Sequence, residues 1–187
     1  YQFLAQIFVN RESELYNQTE QRTGGWTGAR EFKVAQKIQE SQLVQSFILA
    51  PVDEEPVVEF LPGQYIGIEV KPTGGEYKEI RQYSLSDKPN GKTYRISVKR
   101  EANEVPGLVS NFLHDEVKEG DTVNIYAPAG DFYFEERKAP TVLISAGVGI
   151  TPMQCMLETL SSQSHFGPVH YLHACENKAQ HSFAQRT

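Results

Sequence analysis

Two short runs in this 187-residue chain carry residue types that nucleotide chemistry uses. Arg81-Gln82-Tyr83-Ser84 sets a cation, an aromatic ring and a hydroxyl along a strand-like segment, and Gly147-Val148-Gly149-Ile150-Thr151-Pro152 sets a glycine loop before a helix start. Alternation puts Arg81, Tyr83 and Leu85 on one face and Gln82 and Ser84 on the other, while the twist of a strand end lets both faces touch one ligand. Arg81 is suited to fork onto a diphosphate, Tyr83 to cover an isoalloxazine face, and Ser84 to hydrogen-bond near the reactive nitrogen of such a ring. These are the demands of a flavin nucleotide on a sheet surface. An ordinary surface strand accounts for the same four residues.

Other residues extend the pattern. Pro62-Gly63-Gln64-Tyr65 reads as a turn into a strand that brings a second aromatic, and Gly107-Leu108-Val109-Ser110 reads as the start of a helix. A helix start attracts phosphate, because its first N–H groups are unpaired and its dipole is positive there. Thr151-Pro152-Met153-Gln154 matches a capping box with Pro at the first helical position. The loop from Gly147 to Ile150 therefore stands directly before a positive helix end. Gly-x-Gly permits close backbone approach to a pyrophosphate, but Pro152 stands where a dinucleotide fingerprint places its third glycine. Glu176, beyond the next strand, is an acid that could accept from a ribose 2′-hydroxyl, which favours NADH over NADPH; a solvated loop carboxylate is the alternative. His170 and His173 fall three apart on a strand, so they face opposite ways and cannot share a metal. His114 reads as a packing or surface residue, and His165 and His181 have no constellation around them.

The elements that must position these groups fall into two patterns. From residue 31 to about 128, short runs with period-two alternation separated by Pro, Gly, Asn and Asp predict strands at 32–39, 44–50, 64–70, 79–85, 94–99 and 122–126. Six antiparallel strands favour a barrel, interrupted by one helix with Ser110 as N-cap and Phe112, Leu113 and Val117 as its apolar face. From Thr141 the order becomes apolar strand, glycine loop, helix from Pro152 to about Leu160, and strand at 169–174, which means a parallel sheet. A further helix is expected near residues 182–185. Ahead of the barrel, Leu4, Ile7, Phe8, Arg11 and Leu15 predict an amphipathic helix, ended by Gly24-Gly25, with Trp26-Thr27-Gly28 as linker. The fold class is thus mainly β with α/β, in three units: 1–25, 26–137 and 138–187. Two strands make a marginal sheet, so residues from about 141 onward are expected to be less stable than the barrel.

Composition sets the outer limits. The 18 Lys and Arg against 24 Asp and Glu leave a net charge of -6, whereas nucleic-acid binders carry a clustered basic surface. Cys155 and Cys175 show no Cys-x-x-Cys spacing, so neither a disulfide framework nor a zinc site is expected, and both thiols read as reduced and cytosolic. The first ten residues lack the basic start of a signal peptide. No apolar run approaches the roughly 20 residues of a membrane span. The chain begins with Tyr rather than Met, and it reads as a central piece of a longer protein.

With these pieces in order, the chain resembles the flavohaemoglobins, the bacterial nitric oxide dioxygenases, whose reductase half is similar to ferredoxin-NADP reductases. The resemblance rests on Asn10-Arg11-Glu12 with Glu14 and Tyr16 as the last globin helix, Gly24-Gly25-Trp26 as the junction, Arg81-Gln82-Tyr83-Ser84-Leu85, and Ser145-Ala146-Gly147-Val148-Gly149. It implies a globin-type helix, a ferredoxin-reductase-like FAD-binding barrel and a truncated NAD(P)-binding domain. It implies that Tyr65, Arg81, Gln82, Tyr83 and Ser84, joined by Gly107, Val109 and Ser110, bind FAD. Gly147, Val148, Gly149, Ile150, Thr151 and Pro152 would bind NAD(P)H. Glu12 would belong to a charge relay behind the haem-ligating His, which this chain lacks, so that haem b enters only with a missing globin domain and no metal ligand lies here. The implied reaction passes a hydride from nicotinamide to flavin and single electrons to haem iron, where dioxygen and nitric oxide become nitrate. A cytoplasmic monomer is expected, working with its globin and the rest of its nucleotide domain in cis and inactive without them. A globin-free ferredoxin- or flavin-reductase relative and a non-catalytic FAD-binding module are the alternative readings.

Overall fold

Alternation of apolar and polar side chains builds the first strand: β1 (Ala29–Gln39) buries Phe32 and Val34 while Glu31, Lys33 and Ala35 face outward. The strands that follow are β2 (Val44–Pro51), β3 (Tyr65–Val70), β4 (Glu79–Ser84), β5 (Tyr94–Lys99), whose first five residues are all buried, and β6 (Thr122–Ala129), which alternates over its first half as β1 does. This computed structural model describes residues 22–73, 75–102, 106–135, 139–162 and 167–186. The expected first helix with Glu12, the boundary at 137–138 and His165 lie outside them.

The six strands form one antiparallel sheet in the order β4-β3-β6-β1-β2-β5. An antiparallel bridge between Leu85 and Ile96 joins its two edges and closes the barrel. Phe32, Phe47, Leu49, Ile66, Ile68, Tyr94, Ile96, Val98 and Ile125 fill it, each at most 1 % exposed. Burial of side chains this size stabilises the fold by about 1.5–3 kcal/mol each before the opposing chain entropy. At one end Trp26 lies 5.7 Å from the Phe32 ring and 6.3 Å from Tyr94, with its indole N–H donating to the Ile125 carbonyl at 3.2 Å. Helix α1 (Leu108–Asp115) plugs the barrel with Val109 and Leu113. Its C-terminal carbonyls receive the Lys37 ammonium, which donates to Leu113, His114 and Val117 at 2.6–3.1 Å.

The second unit is small. Strands β7 (Thr141–Ala146) and β8 (Val169–Ala174) pair in parallel, with helix α2 (Ile150–Ser162) as the crossover. Its own core is Leu143, Met156 and Leu160, while Cys155, from the same helix, belongs to the barrel's core. Burial pushes the Cys155 thiol up to about 12. No helix among the described residues is long and apolar enough to cross a membrane.

Three expectations about element ends are corrected. The N-cap of helix α1 is Gly107, not Ser110: the Ser110 hydroxyl is already inside the first turn and donates back to the Gly107 carbonyl at 3.2 Å. The capping box at Thr151 does not form, because a 3-10 turn over Gly147–Gly149 runs straight into α2. Thr151 donates to the Val148 carbonyl at 3.1 Å, Gln154 turns to Glu158 at 2.8 Å, and Pro152 stands third in the helix. Its missing N–H falls in the first turn, where no intrahelical partner is needed. Residues 182–185 form turns rather than a helix. Phe183 takes φ +60° there while its side chain is only 2 % exposed, so its burial breaks the helical path.

Candidate active site

The edge strand β4 and the loop after β7 meet across a cleft of about 510 Å³. Arg81, Gln82, Tyr83 and Ser84 form one wall, with Gly107, Leu108, Val109 and Ser110 beside them, and Val148, Gly149, Thr151 and Pro152 form the other. Both motifs singled out in the sequence thus share one cavity. Tyr65, Gly147 and Ile150 do not line it. Tyr65 pairs with Ser84 in the β3–β4 register and lies against Gly130, where an added Cβ would come within 2.8 Å of its ring. Ile150 is fully buried, and Gly147 supplies the left-handed turn, with φ +51°.

On the barrel wall, the Arg81 guanidinium is half exposed and donates to the Glu79 carboxylate at 2.9 Å and the Ile80 carbonyl at 2.8 Å. Burial raises the Tyr83 hydroxyl to about 12, so the phenol is neutral over the working pH range. At the start of α1, Gly107 is required by close packing: a Cβ there would fall 2.6 Å from Ser110 Oγ and 2.8 Å from Glu101 Cβ. The Asn111 side chain donates to the Glu101 and Gly107 carbonyls at 2.9 and 2.8 Å and holds the helix entry, while Arg100 clamps Asp115 at the far end at 2.6 and 2.7 Å. The free N–H groups of the first turn remain for a ligand. On the opposite wall, Gly149 has open space where a Cβ would stand.

Ser97, Lys99 and Glu101 also line the cleft, and motif reading passed over them. The signal for the first two was present in the alternation of β5, which puts Arg95, Ser97 and Lys99 in one row. Lys99 Nζ stands 3.7 Å from the Glu101 carboxylate. Ser97 is the middle of a hydroxyl chain: Arg95 Nε reaches Ser86 Oγ at 3.2 Å, Ser86 meets Ser97 at 2.7 Å, Ser97 meets Ser46 at 2.7 Å, and Ser46 donates to Glu40 at 2.6 Å. A cation at one end and a carboxylate at the other orient all three hydroxyls the same way, which stiffens the cleft floor.

Glu176 stays outside the cleft, exposed and accepting from Gln180 at 2.9 Å. His114 is buried, with Nε2 2.8 Å from the Val98 carbonyl. His173 meets Ser145 at 2.9 Å, and His181 stacks on it at 5.1 Å between ring centroids, a pairing that no sequence spacing announced. No group of three or more His, Cys, Asp or Glu among the described residues could hold a metal ion.

Residues 31–134 match the oxidoreductase FAD-binding domain family. The whole chain aligns with the flavohemoprotein of Vibrio cholerae serotype O1 at 56% identity over 189 positions, covering 48% of that protein, so the chain spans about half the length of this curated relative. Its fold is similar to the FAD/NAD binding domain of nitric oxide dioxygenase from Vibrio cholerae O1, at TM-score 0.80 and 56% identity over 83% of this chain and 66% of that one. It is also similar to the flavohemoglobin of Malassezia yamatoensis with bound FAD and heme, at TM-score 0.85 and 25% identity over 99% of this chain and 47% of that one.

Proposed function

The chain belongs to the oxidoreductase FAD-binding domain family, and from that premise we propose that it is the electron-entry part of a nitric oxide dioxygenase. FAD lies along the Arg81–Ser84 wall, and the nicotinamide dinucleotide lies against the loop after β7. The observation that carries this reading is the meeting of both motifs in one cleft. Its volume of about 510 Å³ falls within the roughly 300–1,000 Å³ of cofactor sites. The donor set also fits: a half-exposed guanidinium, the first-turn amides of α1, a lysine and a neutral phenol surround a space that no side chain among the described residues fills.

Bound there, the cofactors supply hydride transfer from reduced nicotinamide to flavin and single-electron release to a haem, at which nitric oxide and dioxygen become nitrate. Arg81, now paired with Glu79, would hold the diphosphate, and the first-turn amides of α1 would hold further phosphate oxygens. Gln82 and Tyr83 would hold the ring, and Ser84 would offer it a hydroxyl. Val148, Gly149, Thr151 and Pro152 would let the dinucleotide's backbone approach closely. These residues work by orientation and electrostatics rather than by acid, base or nucleophile. Residues 26–137 are read as the FAD domain and 138–187 as the start of the NAD(P) domain, acting in the cytoplasm as a monomer with a globin in cis.

Titration with FAD tests the first step. The chain is expected to quench flavin fluorescence to a one-to-one endpoint, and Arg81→Ala to weaken binding by roughly tenfold or more, the loss of one charge-assisted fork. A purified chain that remains colourless after incubation with FAD contradicts the reading.

A further inference from the structure

Strand β5 places Arg95, Ser97 and Lys99 in one outward row, yet only the last two face the cleft. Arg95 is 2 % exposed, which is unusual for a guanidinium unless its surroundings are built for it. Its contacts come from three separate parts of the chain. Toward the end of β4 it donates to the Ser86 carbonyl through Nη2 and to Ser86 Oγ at 3.2 Å, and Asp87 Oδ2 lies 3.8 Å from Nη1. Toward α2, Nη2 lies 3.4 Å from Glu158 Oε1. Toward the turns after β8, the guanidinium sits 5.3 Å from the centre of the Phe183 ring.

Glu158 is held from several sides at once. Arg186 reaches it at 2.5 Å and Gln154 donates to it at 2.8 Å. Burial, with the neighbouring Asp87 carboxyl, pushes Glu158 above the ordinary carboxylate range. Arg95, Arg186, Asp87 and Glu158 gather in this cluster, and Arg95 is a buried charge that keeps its Glu158 contact only while α2 stays in place.

The position of this cluster in the fold gives it a consequence for the cleft. Ser86 follows Ser84 by two residues, so holding the Ser86 carbonyl fixes the strand end that carries the cleft wall. Glu158 lies two helical turns, about 10 Å, beyond Thr151, so holding its carboxylate fixes the helix whose first turn is the opposite wall. One side chain is therefore tied to both walls. We propose that Arg95 is a positioning residue that sets the gap between the Ser84 wall and the Thr151–Pro152 wall, and hence the distance over which hydride passes. This inference rests on the functional reading above. The step itself moves one hydride with its electron pair from the reduced nicotinamide, which is oxidised, to the flavin, which is reduced.

Single-turnover reduction by NADH of the full-length, FAD-loaded protein that carries this chain, under anaerobic conditions, tests it. Arg95→Lys keeps the charge but not the fork. It is expected to lower the limiting rate at saturating NADH by roughly tenfold or more, the scale of a small misplacement of reacting groups. FAD affinity and the flavin spectrum stay within about twofold of wild type, and the isotope effect with 4-deuterated NADH rises as hydride transfer becomes fully limiting. Glu158→Gln keeps the side-chain shape and shifts the rate in the same direction, and it decides the matter by itself should Arg95→Lys not fold. Limiting rates equal to wild type in both variants overturn the proposal, as does a rate loss matched by an equal loss of FAD affinity. Wild-type flavin that NADH leaves oxidised overturns the functional reading and this inference with it.

Discussion

At His114, burial against the barrel lowers the imidazole's affinity for a proton, with Arg100 and Lys37 adding to the effect and the Val98 carbonyl and Asp115 opposing it. The folded pKa then lies below the ordinary value of 6.5. The unfolded chain binds the proton more readily, so the stability this residue contributes is complete above that value and is lost as pH falls through it. Thermal melts between about pH 7 and 5 are expected to show a steeper loss of Tm for wild type than for His114→Gln; parallel slopes would count against it. Residue identities in the cleft were legible because Arg81, Tyr83 and Ser84 are chemically distinctive and lie together in sequence. Ser97 and Lys99 were not, since a serine and a lysine on an outward strand face describe most exposed strands. What marks them is the wall opposite, made of residues about fifty positions later in the chain.

Among the elements, strands were read to within a few residues at either end, because alternating residue types between turn residues mark a strand even where its ends are misplaced. β1 starts at Ala29 rather than residue 32, and β6 runs to Ala129 rather than 126. Helix starts were read less well, because one hydroxyl has two uses. Ser110 and Thr151 both look like caps, and both instead donate backward to a carbonyl three residues earlier. The true entry to α1 is specified by Gly107, whose missing Cβ makes room for Ser110 and Glu101. Gly107→Ala is expected to cost about 1–3 kcal/mol through overpacking and to weaken FAD binding in the same variant. Equilibrium denaturation alongside a flavin titration checks both, and an unchanged midpoint would remove the packing argument.

Over the whole molecule, two cores of unequal size sit side by side. The barrel's apolar cluster draws on five of the six strands and α1, with Tyr83 of β4 packed against it, whereas the second unit has Leu143, Met156 and Leu160 and leaves Val142, Ile144 and Leu172 at 55–68 % exposed. Hydrogen exchange should therefore proceed earlier from about residue 141 onward than in β1, β2 and β6. Equal protection in both units would contradict that order. Within the second unit, the turn of α2 around Cys155 and Glu158 is expected to exchange last, since the barrel core and Arg95 hold it.

By itself the sequence determined the barrel, the strand–loop–helix–strand order of the second unit and the two motifs, because each is written in local spacing: alternation, glycine placement and neighbouring side chains. Only the tertiary structure decided that Arg81 to Ser84 face Val148 to Pro152, that Ser97 and Lys99 belong with them, and that Arg95 lies under α2 rather than in water. Alternation states which side of a strand a residue occupies. It cannot state what packs against that side, because the covering helix comes from a separate unit whose placement depends on long-range burial and charge pairing.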